Sequence, residues 1–145
     1  MYSGLIHAHS GFRWIVLVLL LVTIINAFGK RNGAKPWTVQ DQKLALYTFI
    51  STHIQLLLGL ILYFISPKVL FAGAAMKDKV LRFFTVEHSL LMLIAIALIT
   101  VGYLNAKKAP EGKKAKTIFT YFLIALILII IRIPWPFMGV GGSWF

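Results

Sequence analysis

Four histidines are the residues of this chain best suited to chemistry. His7 and His9 precede the first of four apolar segments, His53 lies within the second and His88 precedes the third. Imidazole is a ligand for iron, copper and zinc, and an ionisable side chain inside a bilayer is costly enough to indicate a function. The chain has no cysteine, which excludes thiolate metal sites, disulfides and thiol redox chemistry. The histidines are therefore the first candidates for ligands of a metal or cofactor.

The segments that position these histidines are too apolar for a small soluble domain. Of 145 residues, 59% are hydrophobic and 13% are charged, and the mean hydropathy is +0.85. A soluble domain of this size could not bury so much apolar surface. We predict an all-α integral membrane protein, an up-and-down bundle of four transmembrane helices forming one domain over residues 1–145. The predicted helices span residues 5–29, 43–66, 79–106 and 116–134.

Helical spacing places two of the histidines on inward-facing stripes. The stripe of His9 also contains Arg13, Val16, Leu20 and Thr23. The stripe of His88 contains Met92, Ala95, Ile99 and Gly102, whose small members predict space for a group bulkier than a helix. In an up-and-down bundle the first and third helices start at the same side and lie diagonally across the core. His9 or His7 should therefore face His88 at a similar depth.

His53 differs from these histidines in depth and in face. It lies near the middle of the second segment, too deep to share one ion with His88 from opposite sides. It also points away from a polar stripe on its own helix, formed by Thr48, Ser51, Thr52, Gln55 and Gly59. Small and hydroxyl-bearing residues commonly pack between membrane helices, so we interpret the stripe as an interhelical contact rather than a quinone pocket. Glu87, beside His88, is either a partner that fixes its imidazole or an ion-pair partner of Arg82 or Arg13, and we favour the ion pair.

Three segments resemble the small four-helix b-type cytochromes of bacterial inner membranes. They are His9-Ser-Gly-Phe-Arg13-Trp14, His53-Ile-Gln-Leu-Leu-Leu-Gly59 and Glu87-His88-Ser-Leu-Leu-Met92. The resemblance implies an electron-transfer protein, a redox component, that holds haem b through histidines at helix ends and exchanges electrons with quinone or a small oxidant. We expect His9 and His88 as the axial ligands, with His7 and His53 as further candidates and Arg13 near a propionate. The fourth helix has no histidine, unlike the two-haem members, which favours one haem.

Two other classes of function remain open. One is a small metal site that uses the same histidines, and the other is a structural role that uses none of them. His7, His9 and His88, with Met92 one turn further, would form a small copper or zinc site if the N-terminus were extended rather than helical. Alternatively, the chain is a cofactor-free accessory subunit of a larger respiratory or other membrane assembly. Hydrolase and kinase functions have no support, because no nucleophile lies beside a base and no glycine-rich phosphate loop is present.

The basic residues predict the orientation of the bundle. The first and third connections contain Lys30, Arg31, Lys35, Lys43, Lys107, Lys108, Lys113, Lys114 and Lys116, whereas the second contains Lys68, Lys77, Lys79 and Arg82. The side richer in lysine and arginine is usually cytoplasmic, so both termini should be periplasmic in a bacterial inner membrane. No signal peptide is recognisable, and we expect the first helix to be retained. Anionic lipid explains the net charge of +11 better than nucleic acid does, because the cations flank apolar segments.

Overall fold

The computed structural model describes all 145 residues and consists of helices and their connections. Helix accounts for 79% of the chain, and there are no strands. The four long helices are α1 (Tyr2–Lys30), α2 (Val39–Ile65), α3 (Lys79–Lys108) and α4 (Glu111–Arg132). Each is long and apolar enough to cross a membrane. The predicted four-helix membrane bundle is therefore confirmed, with the helix ends shifted by a few residues.

The helices are arranged so that α1 and α3 lie diagonally. α1 packs against α2 and α4, and α3 packs closely against α4 and less closely against α2. One end of the bundle, which we call the histidine end, contains His9, His88, the connection of residues 66–78 and the C-terminal tail of residues 133–145. The opposite end, which we call the lysine end, contains the connections of residues 31–38 and 109–110.

The outer surface of the bundle is apolar along the length of its helices. Only 28 of the 145 residues are buried, and large side chains such as Leu57 and Phe64 are 61% and 73% exposed. Between the helices, a continuous core contains Leu20, Ile99 and Phe122, which are fully buried. Exposed apolar side chains in helices of this length are stable in contact with lipid. The surface therefore fits a multi-pass membrane protein.

α3 and α4 approach each other closely at Gly102. A Cβ atom at this position would lie 2.4 Å from Cβ of Tyr121 on α4. Ala95 and Ile99, on the same face of α3, are fully buried. The expectation that this stripe leaves space for a bulky group is therefore wrong over most of its length, because α4 fills the space. Only Met92 of the stripe borders the cavity beside His88.

The polar end of α2 explains why this helix begins before the predicted boundary. Thr38 and Asp41 form a capping box, in which each side chain accepts a hydrogen bond from the backbone N–H of the other residue. Asp41 also accepts hydrogen bonds from Lys30 and Asn26 of α1. The carboxylate therefore starts α2 and ties it to the end of α1.

α3 contains a wide turn immediately before His88. Residues Phe83–Glu87 are π-helical, and the backbone N–H of His88 donates to the carbonyl of Phe83, five residues earlier. The side chain of Ser89 likewise donates to the carbonyl of Phe84. Such turns are rare and occur frequently at functional sites. The hydropathy of the sequence did not predict this one.

The C-terminal tail folds back onto the histidine end. Ile133 and Val140 are fully buried. A Cβ atom at Gly142 would lie 1.8 Å from the carbonyl oxygen of Pro134, so only glycine allows the tail to turn here. The indole Nε1 of Trp14 donates to the carbonyl of Trp144 over 2.8 Å. The tail is therefore packed as part of the bundle.

Candidate functional site

Two imidazoles meet across the bundle at the histidine end. The rings of His9 on α1 and His88 on α3 have centroids 6.4 Å apart and planes at 80°. Both border an open cavity of about 490 Å³ lined by residues of all four helices and of the tail. The two histidines thus lie at the same depth, as their positions in the sequence predicted.

His88 is fixed by the end of α4 and by two aromatic rings. Its Nδ1 lies 2.7 Å from the carbonyl oxygen of Arg132, the last residue of α4. Because a carbonyl only accepts, Nδ1 carries the proton and Nε2 keeps a free lone pair. The ring stacks on Phe83 at 5.9 Å and contacts Phe84 at 6.2 Å. This is the arrangement of a ligand histidine, whose second nitrogen usually donates to an oxygen that orients the ring.

His9 is fixed by the polar stripe of α2. A Cβ atom at Gly59 would lie 3.1 Å from Cε1 of His9, so the absence of a side chain there makes room for the imidazole. The amide Nε2 of Gln55 donates to the carbonyl oxygen of His9 over 2.8 Å. The stripe contacts α1 at Thr48, as predicted, but its members Thr52, Gln55 and Gly59 also border the cavity. Its position beside His9 could be found only once the rotation of α2 against α1 was known.

Three polar atoms of residues that line the cavity have no hydrogen-bond partner. They are Nδ1 of His9, Nε of Arg13 and Oε1 of Gln55, and all three are buried. Leaving a buried polar group unpaired costs about 1–3 kcal/mol, so such atoms in a native protein call for an explanation. Their position beside the cavity is consistent with an occupant that supplies the missing partners.

The cavity has a largely apolar wall and a polar mouth. The apolar lining includes Val16, Leu17, Leu56, Leu60, Met92, Leu93 and Ile96. At the mouth, the hydroxyl groups of Tyr2 and Ser66 are 2.9 Å apart, and Lys68 donates to the carbonyl of Gly141. Between α2 and α3, Tyr63 donates to the carbonyl of Thr85 over 2.9 Å. Cavities of about 300–1,000 Å³ with this composition are typical of small-molecule and cofactor sites.

Arg13 lines the cavity one turn beyond His9, but its partners belong to the tail. Its Nη2 donates to the carbonyls of Ser143 and Trp144 over 2.9 and 2.8 Å. The guanidinium also lies 5.5 Å from the Trp14 ring and 5.9 Å from the Trp135 ring. Nε of Arg13 has no partner. The side chain therefore holds the tail at the cavity through Nη2, and the donors on Nε and Nη1 remain free for an occupant.

His53 and His7 lie outside the cavity. Nδ1 of His53 is 2.7 Å from the carbonyl oxygen of Phe49, and its Nε2 is 3.3 Å from Oγ1 of Thr100 on α3. Thr100 follows His88 by twelve residues, which at about 1.5 Å per residue places His53 about 18 Å deeper. His7 is exposed on α1, which is helical from Tyr2, so the extended N-terminus that a three-histidine metal site requires is not found. No three His, Cys, Asp or Glu side chains converge as metal ligands.

Glu87 makes the predicted ion pair with Arg82 and a second one that the sequence did not suggest. Its Oε1 accepts a hydrogen bond from Nε of Arg82 over 2.9 Å. Its Oε2 lies 3.6 Å from Nη1 of Arg132. Glu87 therefore links the wide turn of α3 to Arg132 at the end of α4. The carbonyl of Arg132 is the group that orients His88. Arg13 is not a partner of this carboxylate.

The separation of the two imidazoles matches two ligands of one ion. A metal–imidazole bond is about 2.0–2.1 Å long and a ring centre lies about 1 Å behind its nitrogen, so two such ligands hold their centroids about 6 Å apart. The observed value is 6.4 Å. The two rings are therefore spaced as two ligands of one ion would be, and a cavity adjoins them.

Comparison with known proteins finds no match. No family model matches the chain, and no curated protein or solved structure is significantly similar to it.

Proposed function

We propose that this protein binds one haem b between His9 and His88 and transfers electrons within a bacterial inner membrane. The observation that carries the proposal is the pair of imidazoles facing each other at 6.4 Å beside a cavity of about 490 Å³. Haem iron with two axial histidines supplies one-electron redox chemistry. The absence of cysteine means that the haem would be held without thioether bonds.

The protein's own residues would orient the ligands and set their basicity. His88 donates its Nδ1 proton to the carbonyl of Arg132, which keeps Nε2 available and makes the imidazole a stronger donor to iron. Gly59 and Gln55 hold His9 opposite it. The apolar lining excludes water from this region, and such burial is one of the features by which proteins tune haem potential.

Two cations at the cavity are suited to the haem propionates. Arg13 and Lys68 both line it, and each donates to carbonyls of the tail. A carboxylate is a stronger acceptor than a carbonyl, so both side chains can hold a propionate and the tail together. α2 and α3 pack less closely than the other neighbouring helices. We therefore propose quinone as the electron partner, because an apolar molecule in the bilayer would reach the haem most easily between α2 and α3.

The purified protein tests this proposal directly. Prepared from cells supplied with haem, it should show a Soret band, one iron per chain and the spectrum of low-spin iron with two histidine ligands. A colourless sample without iron would contradict the proposal. Stoichiometric copper or zinc in place of haem would also contradict it and would support a small metal site between the same imidazoles.

We further propose that the histidine end faces the periplasm, as the lysine and arginine counts indicate. The chain has no cysteine, so single-cysteine variants test this orientation cleanly. A membrane-impermeant maleimide should label Lys77→Cys in spheroplasts and should label Lys113→Cys only after the membrane is opened. Lys77 and Lys113 are both exposed, so the two positions are equally suitable for labelling. Labelling of Lys113→Cys alone in intact spheroplasts would place the histidine end in the cytoplasm.

A further inference from the structure

A second recess lies at the lysine end, on the far side of the bundle from the histidines. Its volume is about 480 Å³, and it is lined by Arg31, Asn32, Lys116, Phe119 and Thr120. It lies between the end of α1 and the first turns of α4. The connection after α1 contacts the start of α4 beside it, where a Cβ atom at Gly33 would lie 3.5 Å from the carbonyl oxygen of Gly112.

Arg31 is already ordered at this recess. Its Nη1 donates to the carbonyl of Phe28 over 2.6 Å. Its guanidinium lies 3.7 Å from the centre of the Phe28 ring and 5.9 Å from that of Phe119. Cation–π contacts and a hydrogen bond fix the side chain while leaving other guanidinium donors free. Binding an anion here would therefore cost little side-chain entropy.

No carboxylate neutralises the cations of the recess. The three ion pairs in the structure involve Lys30, Arg82 and Arg132, and neither Arg31 nor Lys116 takes part in one. The two acidic residues near this end are Asp41 and Glu111. Asp41 is already paired with Lys30, and Glu111 forms no ion pair. Two unpaired cations beside Asn32 and Thr120 form a site suited to a phosphate group.

An exposed apolar stripe continues from the recess along α4 towards the histidine end. Lys116 and Thr120 are followed on the same helical face by Ile124, Ile127 and Ile131, which are 45%, 50% and 52% exposed. On α1, Ile25 and Phe28 are also exposed close to the recess. A polar recess next to an exposed apolar stripe matches the two parts of a phospholipid.

We propose that this recess binds the phosphate group of an anionic membrane lipid, whose acyl chains lie along the stripe of α4. Arg31 and Lys116 contact the phosphate oxygens, and the amide of Asn32 supplies a further hydrogen bond. Thr120 lines the recess but donates its hydroxyl proton to the carbonyl of Lys116. Free phosphate shares the headgroup chemistry but does not use the apolar stripe. The site is independent of haem, since its residues lie at the opposite end of the bundle from His9 and His88.

The test compares two double variants that remove equal charge from the same end. The site variant is Arg31→Gln with Lys116→Gln, and the control is Lys35→Gln with Lys113→Gln, at two exposed lysines outside the recess. Each full-length protein is titrated in detergent with dioleoyl phosphatidylglycerol and, separately, with inorganic phosphate, and binding is followed by native mass spectrometry. Circular dichroism melting checks that each variant is folded.

We expect the site variant to bind phosphatidylglycerol about tenfold more weakly than the control, because site-specific charge-assisted hydrogen bonds are lost in addition to general attraction. The control should remain within about twofold of the natural protein. Equal weakening of both variants would show that the basic surface attracts lipid without a site, and would overturn the proposal. Phosphate binding as tight as lipid binding, and lost with Arg31, would identify a small soluble anion as the ligand instead.

Discussion

His88→Ala should abolish the low-spin haem spectrum, and His9→Ala should do the same. Each substitution removes one of two opposed imidazoles, so the iron would lose an axial ligand and the haem would lose an anchor in the apolar cavity. Absorbance and electron paramagnetic resonance of the purified variants measure the effect. We expect haem content to fall by about tenfold or more, as losing one ligand usually weakens a metal site at least as much as losing an outer partner.

His53→Ala is the matched control for these two variants. His53 is also a histidine within a membrane helix, but both of its ring nitrogens already have partners in Phe49 and Thr100. Its removal should leave the spectrum intact and lower the free energy of unfolding by about 1 kcal/mol, the net value of a typical hydrogen bond. The reverse pattern, haem lost with His53 and retained without His9, would place the haem deeper, between α2 and α3.

The second large effect is expected at Gly102, where α3 meets α4. In Gly102→Ala, the new Cβ would lie 2.4 Å from Cβ and 2.9 Å from Cγ of Tyr121. Cβ of Tyr121 is bonded to the backbone and cannot rotate away, so the two helices must separate. Overpacking of this kind costs about 1–3 kcal/mol. Thermal unfolding in detergent, followed by circular dichroism, should show the loss.

Gly11→Ala provides the comparison for this substitution. A Cβ atom at Gly11 would meet nothing within 4 Å, although this glycine also lies within a helix. Alanine there should leave stability unchanged or raise it by about 0.5–1 kcal/mol, because glycine loses more backbone freedom on folding. Equal melting temperatures for the two variants would contradict the close contact of α3 with α4.

The sequence predicts the helices and the depth of the histidines because both follow from one-dimensional quantities. Apolar run length determines how many helices cross the bilayer, and rise per residue places His9 and His88 at one level with His53 far below. Helical periodicity also predicts that the polar stripe on α2 packs against another helix. Thr48 of that stripe lies 2.7 Å from Thr23 of α1, hydroxyl to hydroxyl.

The remaining features depend on how helices rotate and approach, which periodicity does not specify. The stripe below His88 suggested an open space, but small residues suit a neighbouring helix equally well, and α4 occupies the space at Gly102. The sequence also did not predict that the guanidinium of Arg13 donates to the carbonyls of Ser143 and Trp144 in the tail. The residues in this contact are separated by 130 and 131 positions in the sequence. No local sequence pattern encodes such a long-range pairing.

The wide turn at Phe83–Glu87 makes the histidine end sensitive to the length of the chain. One extra residue in a helical turn rotates the side chains that precede the turn by about 100° around the helix axis, relative to the side chains that follow it. As a result, the residue stacked on His88 is Phe83, five positions earlier. Deleting any one residue of this turn would restore a uniform helix and carry Lys79 away from the tail carbonyl to which it donates. Insertions and deletions here would therefore be less tolerated than most exchanges of one side chain for another.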